Sequence, residues 1–365
     1  MKKIILITFS LILIFISGIY FIPKIAEAIN NKPSEVNVMN TDGVFFEWDK
    51  SEYPLIENKY KELSDIKDFP TQGYKCEKIN NLDLDLYVNN LSTEWYGENI
   101  LVQDTKHNRI LVIDKSGNVI KTIGETGNGP GEFLTVSGFC FDDEGKLYVV
   151  EEDNERIQIF DKDFKYLEEI SLTEIKKQLN GIAYQEQSIV VTKSKDIYVS
   201  YFYVDKDHSG GILYISSDRK TIKRLGDRHV GILNLSGDGN TVYLLESDEV
   251  QDKKNANGLP DLAAASGKNN LLKIVDGKII EAYEIPKGFS ATCSKIYDDH
   301  IYSFCFGVSQ LVEFDLNGNY ISTLFDLGDY NIPKSYYFSG LIKDENDVFY
   351  GIHTDTMDLY KFYKN

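Results

Sequence analysis

Short hydrophobic runs alternate with polar loops along most of the chain, and the runs come in pairs. In each pair, a first run rich in Ile, Val, Leu and Tyr is followed by a polar loop and a second run that often ends in Asp. The first runs of six such pairs start near Asn99, Lys146, Asp196, Thr241, His300 and Val348. A repeat of about 50 residues matches propeller blades of four strands and is too long and too strand-rich for leucine-rich or helical repeats. The pattern therefore predicts an all-β fold, a six-bladed β-propeller with four-stranded antiparallel blades.

The second pair shows the complete unit. An inner strand in SGFCFDD is followed by strands in KLYVVEE and RIQIFDK and by an outer strand in YLEEISL. In RIQIF, Ile157 and Ile159 point to one face of the sheet, whereas Arg156, Gln158 and Phe160 point to the other. A hydrophobic Phe160 on the second face is expected, because neighbouring blades bury both faces of each sheet.

The two ends of the chain complement each other. The last pair ends at LYKFYKN and lacks a fourth strand, whereas an unpaired strand-like run, Tyr74 to Asn81, precedes the first pair. Because open strand edges invite aggregation, we expect this N-terminal run to complete the sixth blade. This predicts a propeller over residues 66–365 that is closed by an N-terminal strand, with the chain ends side by side.

The first 28 residues have the layout of a secretory signal. Two lysines precede an uncharged run over residues 4–23, and an A-x-A site ends at Ala28. The run is nearly long enough to span a bilayer, so an uncleaved membrane anchor is the alternative. In both cases the rest of the chain is expected to be exported, to the periplasm or the cell surface. Residues 29–65 are interpreted as a tether, with a strand in GVFFEW and a short helix in LIENKYKELSD.

Charge narrows the choice of partners. The formal net charge is -18, and nucleic acids and anionic membrane surfaces favour clustered Lys and Arg. We therefore expect no nucleic acid partner, and membrane contact only through the N-terminal segment. A monomeric ring is expected.

The stretch TGNGPGEF joins the first blade to the second. Gly127, Gly129 and Gly131 permit positive φ, Pro130 stiffens the bend, and Phe133 is expected to fill the space between the two blades. A phosphate-binding loop would need G-x-x-x-x-G-K-[ST] followed by a helix, and here a strand follows. The bend is therefore interpreted as structural.

This bend and the strand pair after it resemble an NHL repeat. GNGPGEF followed by FDDEGKLYVVEEDNERIQIFDKD has the glycine bend, the acidic-Gly turn and the R-I-q-x-F strand of such repeats, and NILVQDTKHNRILVIDKSGNVIKTIG is similar. The later copies lack the Arg and the bend. The whole chain resembles exported six-bladed propellers of NHL type, a largely uncharacterised group abundant in Bacteroides-like bacteria. The resemblance implies the fold and gives little about activity.

In such rings, the loops between second and third strands and the loops that join blades lie on one face, where propellers usually bind. Arg109 and Arg156 occupy equivalent positions there, either as structural braces to carboxylates or carbonyls or as groups that bind an anion. The candidate binding face comprises Asp104, His107, Arg109, Glu152, Asp153, Glu155, Arg156, Asp205, Asp207, His208, His353 and Asp355, with Asp358 close by.

The cysteines allow one disulfide. Cys293 and Cys305 flank a predicted hairpin and would face each other if its turn were centred on Asp299, whereas a shift of one residue would separate them. The alternative is that both are small buried hydrophobic residues. Cys76 and Cys140 lack the spacing of zinc ligands.

No catalytic set is evident in the sequence, and no D-x-D-x-D-G calcium loop is present, although the acidic loops could bind Ca²⁺. We therefore expect a binding or scaffold module of the cell envelope whose partner is a protein, a peptide or a glycan. The alternatives are a Ca²⁺-dependent hydrolase or lyase and a purely structural role.

Overall fold

A computed structural model describes residues 43–364 except 50, 61–64, 66–69, 85–91, 179–183, 204–209, 227–230, 248–268, 287–292, 306–309, 331, 333–337 and 354–355. The predicted signal or anchor segment lies outside the described residues. Within the described residues, no helix is both long and apolar enough to cross a membrane.

The described elements are strands, one short helix and two single-turn 3₁₀ segments. In chain order the strands are β1 Phe45–Asp49, β2 Leu55–Ile56, β3 Lys75–Asn81, β4 Thr93–Tyr96, β5 Asn99–Asp104, β6 Arg109–Ile113, β7 Val119–Ile123, β8 Val136–Phe141, β9 Leu147–Glu151, β10 Arg156–Phe160, β11 Tyr166–Ser171, β12 Tyr184–Val191, β13 Ile197–Tyr203, β14 Gly210–Ile215, β15 Thr221–Leu225, β16 Gly231–Leu235, β17 Val242–Ser247, β18 Asn269–Val275, β19 Lys278–Ile285, β20 Ser294–Tyr297, β21 His300–Cys305, β22 Gln310–Asp315, β23 Tyr320–Asp326, β24 Phe338–Lys343, β25 Phe349–His353 and β26 Asp358–Tyr363. Helix α1 spans Thr173–Gln178, and the 3₁₀ segments are Thr105–His107 and Leu327–Asp329.

The strands form six sheets, which are the six blades. Blades one to five are β4–β7, β8–β11, β12–β15, β16–β19 and β20–β23, each in chain order from the first strand to the fourth and antiparallel throughout. The first strands β4, β8, β12, β16, β20 and β24 each lie beside the next, and β24 lies beside β4. The ring is therefore closed around its centre, and the predicted six-bladed architecture is confirmed.

The sixth blade is completed by the N-terminal strand. Strand β3 pairs antiparallel with β26, from Asn81 opposite Asp358 to Lys75 opposite Tyr363, so that the sheet reads β24-β25-β26-β3. Just before β3, the ring of Tyr74 packs against Phe325 and Phe349 at 5.6 and 5.7 Å between centroids. The predicted closure of the ring by Tyr74 to Asn81 is confirmed.

The segment before β3 follows the outer rim of the ring. Strand β1 adds to blade three in parallel with β15, and β2 adds to blade four in parallel with β19. Thr71 then bridges Thr323 on the outer strand of blade five, and Gln72 N–H donates to the carbonyl of Leu324 at 3.0 Å. The chain thus covers the outer edges of blades three, four and five in turn before it becomes the outer strand of blade six.

The predicted strand in GVFFEW corresponds to β1, whereas the helix indicated from Leu55 begins as a strand. Leu55 and Ile56 form β2 instead. An isolated segment of this length has little intrinsic helical stability, and the open edge of β19 offers its backbone ready hydrogen-bond partners. Pairing with the open edge of β19 therefore makes Leu55 and Ile56 a strand.

The aspartates that end many hydrophobic runs build the turns. The carboxylate of Asp161, for example, accepts from the backbone N–H groups of Asp163 and Lys165 at 2.9 and 2.8 Å. Such turns replace missing backbone hydrogen bonds with side-chain ones. The same pattern occurs at Asp114, Asp142, Asp161, Asp315 and Asp344.

The bend between blades one and two places an aromatic ring between them. Phe133 is fully buried in a hydrophobic cluster shared by the two blades, with its centroid 5.8 Å from that of Phe160. Gly124, at φ +79°, lies under this ring, and a Cβ there would approach Phe133 to 2.2 Å. The glycine is therefore required for this close approach.

The hairpin that carries Cys293 has a different register from the one a disulfide would need. Tyr297 pairs with His300, and the turn consists of Asp298 and Asp299, both at positive φ. The N–H of Phe304 donates to the carbonyl of Cys293 at 3.1 Å, so Cys293 faces Phe304 rather than Cys305. Cys293 is a buried free thiol; the side chain of Cys305 lies outside the described residues.

We predict that the thiols of the native protein react slowly with alkylating reagents. Burial raises the pKa of Cys76 and of Cys293 to about 12, so at pH 8 the thiolate fraction is about 2000-fold below that of an unfolded thiol with a pKa of ~8.5. The native rate should rise about tenfold per pH unit up to pH 10, whereas the unfolded rate levels off above its pKa. Alkylation without reductant after unfolding, read by mass spectrometry, should find Cys293 modified; a Cys293–Cys305 disulfide peptide would contradict the observed register.

Candidate functional site

The antiparallel blades give the ring two different ends. One end, the loop face, carries the loops between second and third strands and the loops that join blades; its described part in blades one and two comprises residues 105–108, 124–135 and 152–155. The other end, the turn face, carries the turns between first and second and between third and fourth strands. A ligand that binds at an end of the propeller therefore contacts either the loop face or the turn face.

The charged groups of the turn face are largely bound to one another. Lys195 of blade three contacts Asp142 of blade two at 2.9 Å and also Asp143. Asp299 of blade five accepts from the hydroxyl of Ser236 in blade four at 3.0 Å. Lys343 of blade six lies 2.9 Å from Asp298, in the same turn of blade five. These contacts link the turns of consecutive blades around the ring, so this face has a structural use.

An ion pair crosses the centre of the ring. Lys295 Nζ on β20 lies 2.5 Å from Glu94 Oε1 on β4, and the intervening strand β24 belongs to blade six. Both side chains retain partial exposure, 25% for Lys295 and 31% for Glu94. Cys140 on β8 lies close enough for Glu94 to add to the rise in its pKa, which burial dominates. The pair therefore ties two blades that are not neighbours.

Arg156 in blade two is a structural brace. Its Nε donates to Glu151 at 2.8 Å, and its terminal nitrogens donate to the carbonyl oxygens of Asn128, Gly129 and Glu132 at 2.9–3.0 Å. A further hydrogen bond reaches Glu169 at 2.8 Å, and the side chain is only 8% exposed. The guanidinium thus fastens the glycine bend to the blade, which explains the Arg of the third strand.

The buried carboxylate of Glu151 organises this brace. Besides Arg156, it accepts from the amide of Gln158 at 2.7 Å and from the backbone N–H of Leu134 at 2.9 Å. Burial raises the pKa of Glu151, and the charge of Arg156 opposes this effect. The binding face predicted from the sequence includes the neighbouring Glu152 but not Glu151. The available signal was the five-residue spacing from Glu151 to Arg156, which equals that from Asp104 to Arg109.

The equivalent position in blade one is arranged differently. Asp104 is fully buried, and its carboxylate accepts from Arg109 Nε at 2.7 Å and from His107 Nδ1 at 2.9 Å. The side chains of Arg109 and His107 remain 37% and 46% exposed. One buried carboxylate therefore holds two exposed hydrogen-bonding groups in place on the loop face.

The loops of blades one and two are joined into one surface. Asn108 Oδ1 accepts from the N–H of Thr135 at 3.0 Å, and its amide nitrogen approaches the hydroxyl of Thr126 at 3.4 Å. The Thr135 hydroxyl donates to exposed Asp153 at 2.5 Å. Thr135 itself has φ +55°, which is rare for a β-branched residue and costs backbone energy. Hydrogen bonds from both sides hold this conformation.

Other candidates from the sequence have structural roles or lie outside the described residues. His353 is fully buried, with Nδ1 3.1 Å from the Thr356 hydroxyl, which corrects its expected place on the exposed face. Asp358 is buried and accepts from Asn81 at 2.9 Å across the closing strand. Glu155 accepts from the hydroxyl of Thr173 at 2.7 Å at the start of α1. Outside the described residues lie Asp205, Asp207, His208 and Asp355.

No metal centre is formed within the part of the chain that the structure describes: no three His, Cys, Asp or Glu side chains there converge as a metal site would require. The described loop face of blades one and two is a surface whose loops are hydrogen-bonded to one another. Its exposed polar residues include Lys106, His107, Glu125, Thr126, Asn128 and Asp153, and the side chain of Arg109 is partly exposed.

We predict that Arg156→Met lowers the free energy of unfolding by about 3–5 kcal/mol, because it leaves Glu151 buried without its cation. Arg109→Met should cost about 1 kcal/mol, since that side chain is partly exposed and His107 still serves Asp104. Urea unfolding followed by tryptophan fluorescence compares the two variants. Equal losses would contradict the assignment of Arg156 alone as the brace.

Comparison with known proteins agrees with this fold. A family model described as a 6-bladed beta-propeller, DUF5128, matches residues 87–255. NHL repeat-containing protein 3 of Homo sapiens is 30% identical over 112 residues, which cover 29% of this chain and 31% of the human protein. That alignment spans less than a third of the human relative.

Solved structures resemble the chain over most of its length. A gluconolactonase from Xanthomonas campestris has 13% identity and a TM-score of 0.50, covering 81% of this chain and 98% of that one. A protein from Bacteroides fragilis has 12% identity and a TM-score of 0.51, covering 86% of this chain and 100% of that one. At such identities the likeness concerns the fold. Together with the repeats and the closed ring of blades, these matches show a six-bladed β-propeller, part of which is similar in sequence to an NHL repeat-containing protein.

Proposed function

We propose that this chain is an exported binding module of the cell envelope and that its loop face in blades one and two contacts the ligand. One observation supports this most directly: the loops of both blades are hydrogen-bonded into one surface, while exposed His107, Arg109 and Asp153 project from it. A surface whose polar groups are already fixed loses little side-chain entropy on binding. A protein, a peptide or a glycan is the ligand class we propose.

The contrast between the two ends of the ring favours the loop face. On the turn face, Lys195 and Lys343 are paired with carboxylates of neighbouring turns, so a ligand there would have to break contacts that join blades. On the loop face, the corresponding internal contacts are made by buried groups such as Asp104 and Arg156. Binding at the loop face therefore leaves the ring intact.

Export is proposed from the N-terminal sequence. Two lysines, an uncharged run over residues 4–23 and the A-x-A site ending at Ala28 support a secretory signal, with a retained anchor as the alternative. Mass spectrometry of the mature N-terminus decides between them: a chain that starts at Ile29 supports cleavage, and an intact Met1 supports the anchor.

A hydrolase or lyase that uses Ca²⁺ is less well supported. Calcium needs several converging oxygen ligands, and the described residues provide no group of three acidic, His or Cys side chains in that arrangement. The resemblance to a gluconolactonase is one of fold. No geometric observation favours this second candidate over binding.

The proposal predicts that binding depends on the loop face. Immobilised wild-type protein should retain a ligand from envelope extract or on a glycan array, and His107→Ala combined with Asp153→Ala should lose most of it, because one exposed polar group is removed from the loop of each blade. Lys165→Ala, in an exposed turn at the opposite end of blade two, is the matched control and should bind like wild type.

Circular dichroism of the variants checks that each is folded. Retention that is equal in all three proteins, or no retention above a blank resin, would overturn the assignment of the loop face.

A further inference from the structure

Two arginines at the same repeat position have different surroundings. In blade one, Arg109 pairs across the strands with Asp104; in blade two, Arg156 pairs in the same way with Glu151. In both cases Nε donates to the carboxylate, at 2.7 and 2.8 Å. The Nε atoms of the two guanidinium groups therefore make the same contact. The groups differ in what their terminal nitrogens contact.

Blade two shows which partners this position accepts. The terminal nitrogens of Arg156 donate to the carbonyl oxygens of Asn128, Gly129 and Glu132, which approach from the glycine bend. The side chain is 8% exposed. At this repeat position, the outer edge of the guanidinium thus binds a set of oxygen acceptors, here supplied by the chain itself.

In blade one, the corresponding side chain is more exposed than in blade two. Arg109 is 37% exposed, and Asp104 is its hydrogen-bond acceptor among the residues that the structure describes. Because Nε is engaged, the terminal nitrogens keep their donors for an acceptor from outside. A planar guanidinium edge matches the two oxygens of a carboxylate.

His107 adds a second group beside it. Its Nδ1 lies 2.9 and 3.0 Å from the two oxygens of Asp104, so Nδ1 carries the hydrogen, since an ionised carboxylate only accepts. The ring is 46% exposed, and its other nitrogen is on the side away from Asp104. The 3₁₀ segment Thr105–His107 fixes the backbone between the two groups.

We infer that Arg109 and His107 form a subsite for a single carboxylate group of the ligand, with Asp104 as the positioning residue for both. This inference rests on the proposed function and names the chemistry of its ligand. Asp104 offsets one positive charge, and the chain carries a net charge of -18, so a ligand with one delocalised negative charge suits the subsite better than a polyanion. A sugar acid and a peptide carboxylate share this chemistry.

Titrations with two probes test the subsite. N-acetylglycine presents a peptide-like carboxylate and glucuronate a sugar carboxylate; N-acetylglycinamide and glucose are their neutral counterparts, all at one ionic strength. Both acids should shift the Nε–Hε NMR signal of Arg109 to saturation, and the neutral compounds should leave it unchanged. The acid with the lower dissociation constant shows whether the subsite prefers a peptide carboxylate or a sugar acid.

Variants locate the binding energy. Followed through the His107 imidazole signal, Arg109→Gln should weaken probe binding about tenfold or more, because a charge-assisted hydrogen bond is lost; Arg109→Lys should fall in between, because it keeps the charge without the fork. Lys165→Gln is the matched control and should bind like wild type. Shifts that do not saturate, that chloride reproduces, or that saturate with unchanged affinity in Arg109→Gln overturn the subsite.

This inference and the proposed function fail separately. If the loop-face variant loses the envelope ligand but excess glucuronate or N-acetylglycine does not compete with it, the binding module stands and the carboxylate subsite is wrong. If the probes saturate the Arg109 signal but no envelope ligand depends on the loop face, the subsite stands and the proposed function is wrong.

Discussion

Everything in this structure depends on the pairing of one strand from near the start of the chain with the last strand. Six blades can bury both faces only if each has a neighbour on either side, so the ring must close. Closure comes from β3, which forms the outer strand of the blade that ends the chain. Tyr74 seals the junction by packing against Phe325 and Phe349. The fixed ring then determines which loops share a face.

The N-terminal segment extends the same principle along the rim. A blade's fourth strand exposes an unpaired edge, and β1 and β2 cover such edges on blades three and four before β3 is reached. Hydrophobic side chains nevertheless remain exposed on outer strands, at Val119, Ile120 and Leu167 in blades one and two and at Ile280 and Ile321 in blades four and five. The segment thus pairs with the backbone edges of the rim without burying all of its hydrophobic side chains.

The sequence was informative where local pattern determines structure. The period of the hydrophobic runs, the aspartate turns and the missing last strand led to six blades and to their closure. It was less informative where a partner lies far along the chain: Glu94 and Lys295 meet across the centre of the ring, although 201 residues separate them. The register of the Cys293 hairpin depended on whether one or two residues form its turn. The difference between Arg109 and Arg156 was equally hidden, because both follow an acidic residue by five positions and only exposure separates them.

A cross-link tests the closure of the ring most directly. Glu77 and Lys361 are Cα partners across β3 and β26, so in a Cys76→Ser background the double variant Glu77→Cys, Lys361→Cys should oxidise to a disulfide within one chain, mapped by mass spectrometry. Glu77→Cys with Lys165→Cys, which joins blade six to a turn of blade two, is the control and should stay reduced. Failure of the first pair to form the bridge, or equal bridging in both, would contradict a ring closed by its N-terminal strand.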